Sequence, residues 1–117
     1  MYDAFIVGGG AAGMSCALVL GSAYKRDYVS DKKIAIVTHQ KSSHLQNALF
    51  NNVLGVIPGT TGASILEDGK IQLASLYPHI NQIEKEKVCA ISNHEDHFEI
   101  TTNKTSYKSK IVVIAVG

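Results

Sequence analysis

Three glycines constrain this chain more than any other feature. Gly8, Gly10 and Gly13 stand in the spacing G-x-G-x-x-G, between the apolar run Ala4–Val7 and an Ala-, Leu- and Met-rich stretch, Ala11–Ala23. A short apolar run closed by glycine suits a buried strand of a parallel sheet. Met14, Ala17, Leu18 and Gly21 recur at helical spacing, and the small residues Ala11, Ala12, Gly13 and Ser15 let such a helix lie close to a sheet. Ile34–Val37 is a second buried-strand run, so strand, glycine turn, helix and strand form one βαβ unit. In that context the glycines have separate physical roles. Gly8 allows the tight turn out of the strand, Gly10 leaves room for a pyrophosphate at the backbone, and Gly13 permits close helix packing. The unpaired N–H groups and the positive end of the helix dipole then face the phosphates. The alternative is a glycine-rich turn that binds nothing; the strand–turn–helix context favours a dinucleotide site.

The rest of this fingerprint is incomplete. An acidic residue is expected at the end of the second strand, where it would bind the ribose hydroxyls. This chain has Thr38-His39-Gln40-Lys41 there, and Asp27 and Asp31 come before the strand. A hydroxyl, an amide or a backbone group could hold the ribose without charge assistance. Lys41 either favours a phosphorylated ribose or is a solvated surface lysine.

Beyond this unit, Tyr24–Lys33 is polar and reads as a helix end and surface loop. Thr38–Gly62 carries turn signals (Ser42-Ser43, Asn51-Asn52, Pro58-Gly59) yet also Leu45, Leu49, Phe50, Val53, Leu54, Val56 and Ile57. A loop of that length and apolarity is expected to wrap a ligand or a partner domain. Ala63–Tyr77 predicts a helix opened by a Ser64…Glu67 capping box and stopped by Pro78, with Gly69 weakening it by roughly 1 kcal/mol. Ile80 and Ile83 mark a short strand. Val88–Ile91, Phe98–Thr102 and Thr105–Lys108 predict a three-stranded meander, and Ile111–Val116 a further buried strand. The expected fold is α/β: a Rossmann-like βαβ with a parallel sheet and an inserted three-stranded β-meander.

Composition excludes several classes. With 117 residues, 45% hydrophobic and 18% charged, the chain has room for one domain and is too apolar for disorder. A net charge of +1 gives no footprint for nucleic acid or an anionic membrane. The longest apolar run, Ile111–Val116, is far short of the roughly 20 residues of a membrane-spanning helix. Met1-Tyr2-Asp3 carries no basic region ahead of an apolar stretch, so a cytoplasmic, reducing location is expected. Cys16 and Cys89 form no CxxC and read as packed free thiols. His94-Glu95-Asp96-His97 looks like a metal cluster but has the composition of a hairpin tip, and no metal site is expected. Glu84-Lys85-Glu86-Lys87 reads as a solvated turn. No G-x-S-x-G and no pair of carboxylates placed for acid–base work occurs, so no catalytic residue is assigned.

Tyr2-Asp3-Ala4-Phe5-Ile6-Val7-Gly8-Gly9-Gly10-Ala11-Ala12-Gly13 resembles the opening of the two-dinucleotide-domain flavoproteins. The whole chain resembles the N-terminal third of the thioredoxin reductase-like (pyridine nucleotide-disulfide oxidoreductase-like) flavoproteins. Leu45–Phe50 leading to Gly55–Gly59 is similar to the segment under the flavin, and Gly62 through Pro78 to the helix that follows. Ile111–Gly117 is similar to the family's second strand-plus-glycine motif. The resemblance implies a single FAD- or NAD(P)-binding domain over residues 1–117, the N-terminal part of the family's longer domain. It implies FAD bound extended, its pyrophosphate over Gly8, Gly10, Ala11, Ala12 and Gly13. The adenosine would lie near Thr38, His39 and the backbone of Val88, and the flavin towards Asn47. His44 falls where relatives often carry a glutamine that contacts the cofactor. Ala115 and Gly117 would pass the ribityl-phosphate region, with Val116 in place of the usual threonine.

The implied function is the FAD-binding part of an oxidoreductase that moves electrons from a nicotinamide through flavin to an acceptor. NAD(P) is the other ligand the glycine motif serves. A second fingerprint, the family's CxxC and its returning Gly-Asp motif do not occur in this sequence. The alternative is therefore a non-catalytic NAD(P)- or FAD-binding module, or a truncated remnant that docks to a partner. The partner would be a second copy or a complementing domain.

Overall fold

The computed structural model describes residues 1–39 and 44–116. In chain order they form β1 (Tyr2–Val7), α1 (Ala11–Ser22), β2 (Ile34–Thr38), a 3-10 turn (His44–Asn47), β3 (Leu49–Phe50), β4 (Thr60–Thr61), α2 (Gly62–Leu76), β5 (Ile80–Glu84), β6 (Val88–Asn93), β7 (Phe98–Thr102) and β8 (Ser106–Ile114). Six strands make one sheet in the order β5-β2-β1-β8-β7-β6. β5, β2, β1 and the end of β8 run parallel, with Ile6 opposite Ile36 on one side and Val113 on the other.

Strand alternation sends Ile6 to one face of the sheet and Phe5 and Val7 to the other. On the first face α1 and α2 lie side by side. Met14, Ala17 and Leu73 pack there on Ile6, Ile34, Ile36 and Ile80. On the second face Phe5, Val7, Ala35, Val37 and Ile83 meet Ile100 of β7, with Val88, Tyr107 and Val112 against them. The sheet therefore curls, and its antiparallel end covers the face that the helices leave open. Ile6 and Ile36 are fully buried between these layers, each worth about 1.5–3 kcal/mol of burial. Cover on both sides explains why β1 and β2 read as unbroken apolar runs.

Three local expectations change. The third meander strand and the last parallel strand are one nine-residue strand, β8. Lys108-Ser109-Lys110 reads as a polar break, but Ser109 is fully buried, pairs with Tyr2 and Phe98, and donates its hydroxyl to Ile111 O at 2.7 Å. The strand changes partner there and does not stop. The cap of α2 is Thr61, whose Oγ1 accepts from Ser64 N–H at 3.1 Å; Ser64 in turn donates to Thr61 O at 2.9 Å. The predicted capping box lay one turn too late. The irregular stretch contains a small hairpin, β3 on β4, closed by Gly59 N–H donating to Phe50 O and to Asn51 Oδ1. Its tip leaves Val53, Leu54 and Ile57 exposed.

Candidate functional site

The order of the parallel strands reverses at β1, whose neighbours are β2 and β8. In open α/β sheets ligands bind outside the carboxyl ends of the strands at such a switch point. A cleft of about 620 Å³ opens there, within the size range of small-ligand sites.

The glycine turn forms its floor. Gly8 has φ of 115°, a conformation for glycine alone, and its N–H donates to Val37 O at 3.1 Å. A Cβ on Gly8 would overlap the carbonyl oxygen of Ala115, whose own N–H donates to Val7 O at 2.8 Å. A Cβ on Gly13 would overlap the Gly8 carbonyl oxygen. The first glycine thus turns the chain against β8, and the third seats α1 on that turn. Gly10 is the N-cap of α1; no side chain caps it, and the first turn holds no acidic residue. The positive helix end with its unpaired N–H groups is left to the cleft.

Gly8, Gly10, Ala11 and Ala12 line the cleft together with His39, His44, Val88 and Ala115. Gly13 is buried behind them. Thr38 ends β2 and packs its Cγ2 over Gly9, where a Cβ would stand. Asn47 closes the 3-10 turn, is exposed, and is not among the lining residues. Gly117 and Lys41 lie outside the described residues.

Leu45, at the start of the segment expected to wrap a ligand, lines the cleft as well, and so does Lys87, which sequence reasoning missed. The signal for Lys87 was register. Thr38 of β2 pairs with Glu84 of β5, so the residues just beyond Glu84 emerge beside the end of β2. The expectation of a solvated turn there fails for Glu86, which is only 9% exposed. Its carboxylate accepts from Thr102 Oγ1 at 2.7 Å and from the Tyr107 hydroxyl at 2.9 and 3.0 Å. Burial, then the bond and charge of Glu86, push the Tyr107 phenol up to about 12.

At the tip between β6 and β7 the His94 and His97 rings stack at 4.9 Å, and His97 Nδ1 lies 2.6 Å from Asp96 Oδ1. No group of three or more metal-ligating side chains converges among the described residues. Cys16 and Cys89 are free thiols.

Residues 2–117 match the family described as pyridine nucleotide-disulphide oxidoreductase. The chain belongs to that family. Among curated members it is similar to the thioredoxin reductase of Treponema pallidum, 32% identical over 116 residues, and to the ferredoxin–NADP reductase of Streptococcus thermophilus, 26% identical over 117 residues. It spans about 35% of the length of each. Among solved structures, the thioredoxin reductase of Streptococcus pyogenes is 28% identical with a TM-score of 0.78, over 100% of this chain and 35% of that one. The Lactococcus lactis thioredoxin reductase, 23% identical, shares the fold with a TM-score of 0.80 over 100% of this chain and 36% of that one. The mainly parallel α/β sheet is therefore this family's dinucleotide-domain architecture.

Proposed function

We propose that this chain binds FAD in an extended form across the ends of β1, β2 and β8, as the FAD-binding part of a thioredoxin reductase-like oxidoreductase. The observation that carries the reading is the cradle at Gly8–Gly13. Its first and third positions have no room for a Cβ, and the uncapped start of α1 opens into the cleft. Such a cradle fits a pyrophosphate. In this reading Gly8, Gly10, Ala11, Ala12 and Gly13 hold the diphosphate by backbone. Thr38, His39 and Val88 hold the adenosine, and His44, Asn47 and Ala115 lie along the flavin half. Bound flavin would supply two-electron transfer between a nicotinamide and an acceptor, while the protein supplies binding and orientation.

The partner is a complementing domain or a second copy. Ile111, Ile114 and Val116 at the end of β8, and Leu54 and Ile57 at the hairpin tip, are more than half exposed, which supports a covered interface. Among the described residues no helix is long and apolar enough to cross a membrane. The two free thiols accord with a reducing, cytoplasmic location.

The test is an absorbance spectrum of the purified chain and a titration with FAD. Visible flavin bands that stay with the protein through gel filtration are expected. A colourless chain that takes up no FAD at roughly 100 μM, a weak affinity for a cofactor site, would refute the reading.

A further inference from the structure

The turn between β5 and β6 forms one wall of the cleft through Lys87 and Val88. The pairing of Thr38 with Glu84 sets the backbone of this turn beside the end of β2. A dinucleotide on a glycine turn of this type lays its adenosine half at that end of the sheet. The turn is held from outside its own two strands. Lys85 has φ of 61°, a left-handed conformation that a side chain keeps only where the surroundings enforce it. Lys87 donates its N–H to Asn103 Oδ1 and accepts the Asn103 N–H at its carbonyl, each at 3.0 Å.

Between these two residues stands Glu86, the one charged side chain that is buried among the described residues. Its carboxylate accepts from Thr102 Oγ1 at 2.7 Å and from the Tyr107 hydroxyl at 2.9 and 3.0 Å, and no cation pairs with it among the described residues. Both donors are fixed. Thr102 Oγ1 also accepts the N–H groups of Lys104 and Thr105, each at 3.1 Å. The Tyr107 ring packs on Phe5 with ring centres 5.2 Å apart, and its phenol, pushed up to about 12, stays a donor at neutral pH. Burying a carboxylate without a cation costs stability that an apolar side chain in its place would not. What the carboxylate adds is direction: bonds to two fixed hydroxyls tie the cleft wall to β7 and β8.

We infer that Glu86 is a positioning residue for the dinucleotide, whose buried side chain holds the β5–β6 turn where the adenosine half is gripped. The inference rests on the dinucleotide reading of the glycine turn and deepens it. Without this anchor the turn must be ordered anew whenever a ligand binds, and affinity falls accordingly.

Calorimetric titrations with ADP and FAD test this, with the α2 cap variant Thr61→Ala as a control for lost stability. Glu86→Ala is expected to weaken ADP and FAD by the same factor, about tenfold, the scale of ordering one residue of the turn. Charge alone predicts the opposite sign, since removing a carboxylate near an anionic ligand tightens binding. Glu86→Gln keeps an oxygen for Thr102 and a polar partner for Tyr107, and should bind ADP at least as tightly as wild type. T61A should keep wild-type affinity, which separates positioning from a weaker fold. Tyr107→Phe removes one of the two hydroxyls without touching the turn, should weaken ADP in the same direction, and decides the matter if E86A does not fold. Unchanged or tighter ADP binding in E86A (or in Y107F where E86A does not fold), a loss in E86Q or T61A equal to that in E86A, or a loss confined to FAD overturns the inference. A wild type that binds FAD, with an E86A that binds both ligands equally well, defeats this inference and leaves the FAD reading standing. A wild type that takes up no FAD, but whose ADP affinity falls in E86A, does the reverse, and a wild type that binds neither ligand overturns both.

Discussion

Gly13→Ala and Gly69→Ala are the same chemical change on two helices, and the structure predicts opposite outcomes. A Cβ on Gly13 would overlap the Gly8 carbonyl oxygen and stand 2.8 Å from its carbon. Both are backbone atoms, and Gly8 sits at φ of 115° with its N–H committed to Val37 O. Neither the turn nor the start of α1 can move without losing the other. Overpacking of this kind costs about 1–3 kcal/mol, and the helix-propensity gain of alanine offsets at most about 1 kcal/mol. A net loss of about 1–2 kcal/mol lowers the unfolding temperature by roughly 5–10 °C in a domain of this size. A Cβ on Gly69 would meet Met14 Cγ at 3.1 Å. That atom belongs to an unbranched, adaptable side chain, so the gain of about 1 kcal/mol in helix propensity offsets the crowding. Thermal unfolding followed by circular dichroism reads both variants, and quenching of flavin fluorescence reads FAD binding. G13A should lose stability and cofactor binding together. G69A should match or slightly exceed wild type and keep binding. A G13A protein as stable as wild type, or a G69A protein that falls as far as G13A, would refute the argument.

Thr61→Ala removes the cap of α2 and should cost about 1 kcal/mol in urea unfolding while leaving cofactor affinity unchanged; no loss would mean the Ser64 N–H has another partner. Tyr107→Phe leaves the buried Glu86 carboxylate with Thr102 alone and should destabilise by about 1–3 kcal/mol. The phenol lies at about 12 in the folded chain against an ordinary 10.0, so the folded state holds its proton longer. Its stabilising contribution is complete below the ordinary value and is lost as pH rises through the folded one. The Phe variant should lack that alkaline decline, and an unaltered decline would count against the assignment. Asp3 is held below its usual value by the Lys33 N–H at 2.8 Å, with the charges of Lys110 and Lys32 adding to it. Its contribution is present above the ordinary carboxylate range and disappears as pH falls through the lowered value, so Asp3→Asn should flatten the acid limb of a stability–pH curve.

Much of the site was legible in short-range sequence. Gly8, Gly10 and Gly13 announce a turn, an approach and a close packing because each role forbids a side chain, and that constraint is local. Ile34–Val37 announces a strand covered on both faces for the same reason. Lys87 was not legible. In sequence it sits in a run of alternating charge, and only the pairing of β2 with β5 puts the turn after Glu84 at the cleft end of the sheet. Ser109 was misleading because a serine between two lysines looks like a surface break. It is buried because β8 pairs on one edge with β1 and on the other with β7 at that residue.

Backbone sterics and the spacing of apolar residues were enough to specify the βαβ unit and its glycine turn, because both are set by residues close together in the chain. Which distant segments share the cleft follows only from folding: the 3-10 turn with His44 and Leu45, the β5–β6 turn with Lys87, and the end of β8 with Ala115. It also decided that Glu86 is buried. Those outcomes depend on strand register and on the curl of the sheet, which arise from contacts between residues far apart in the chain.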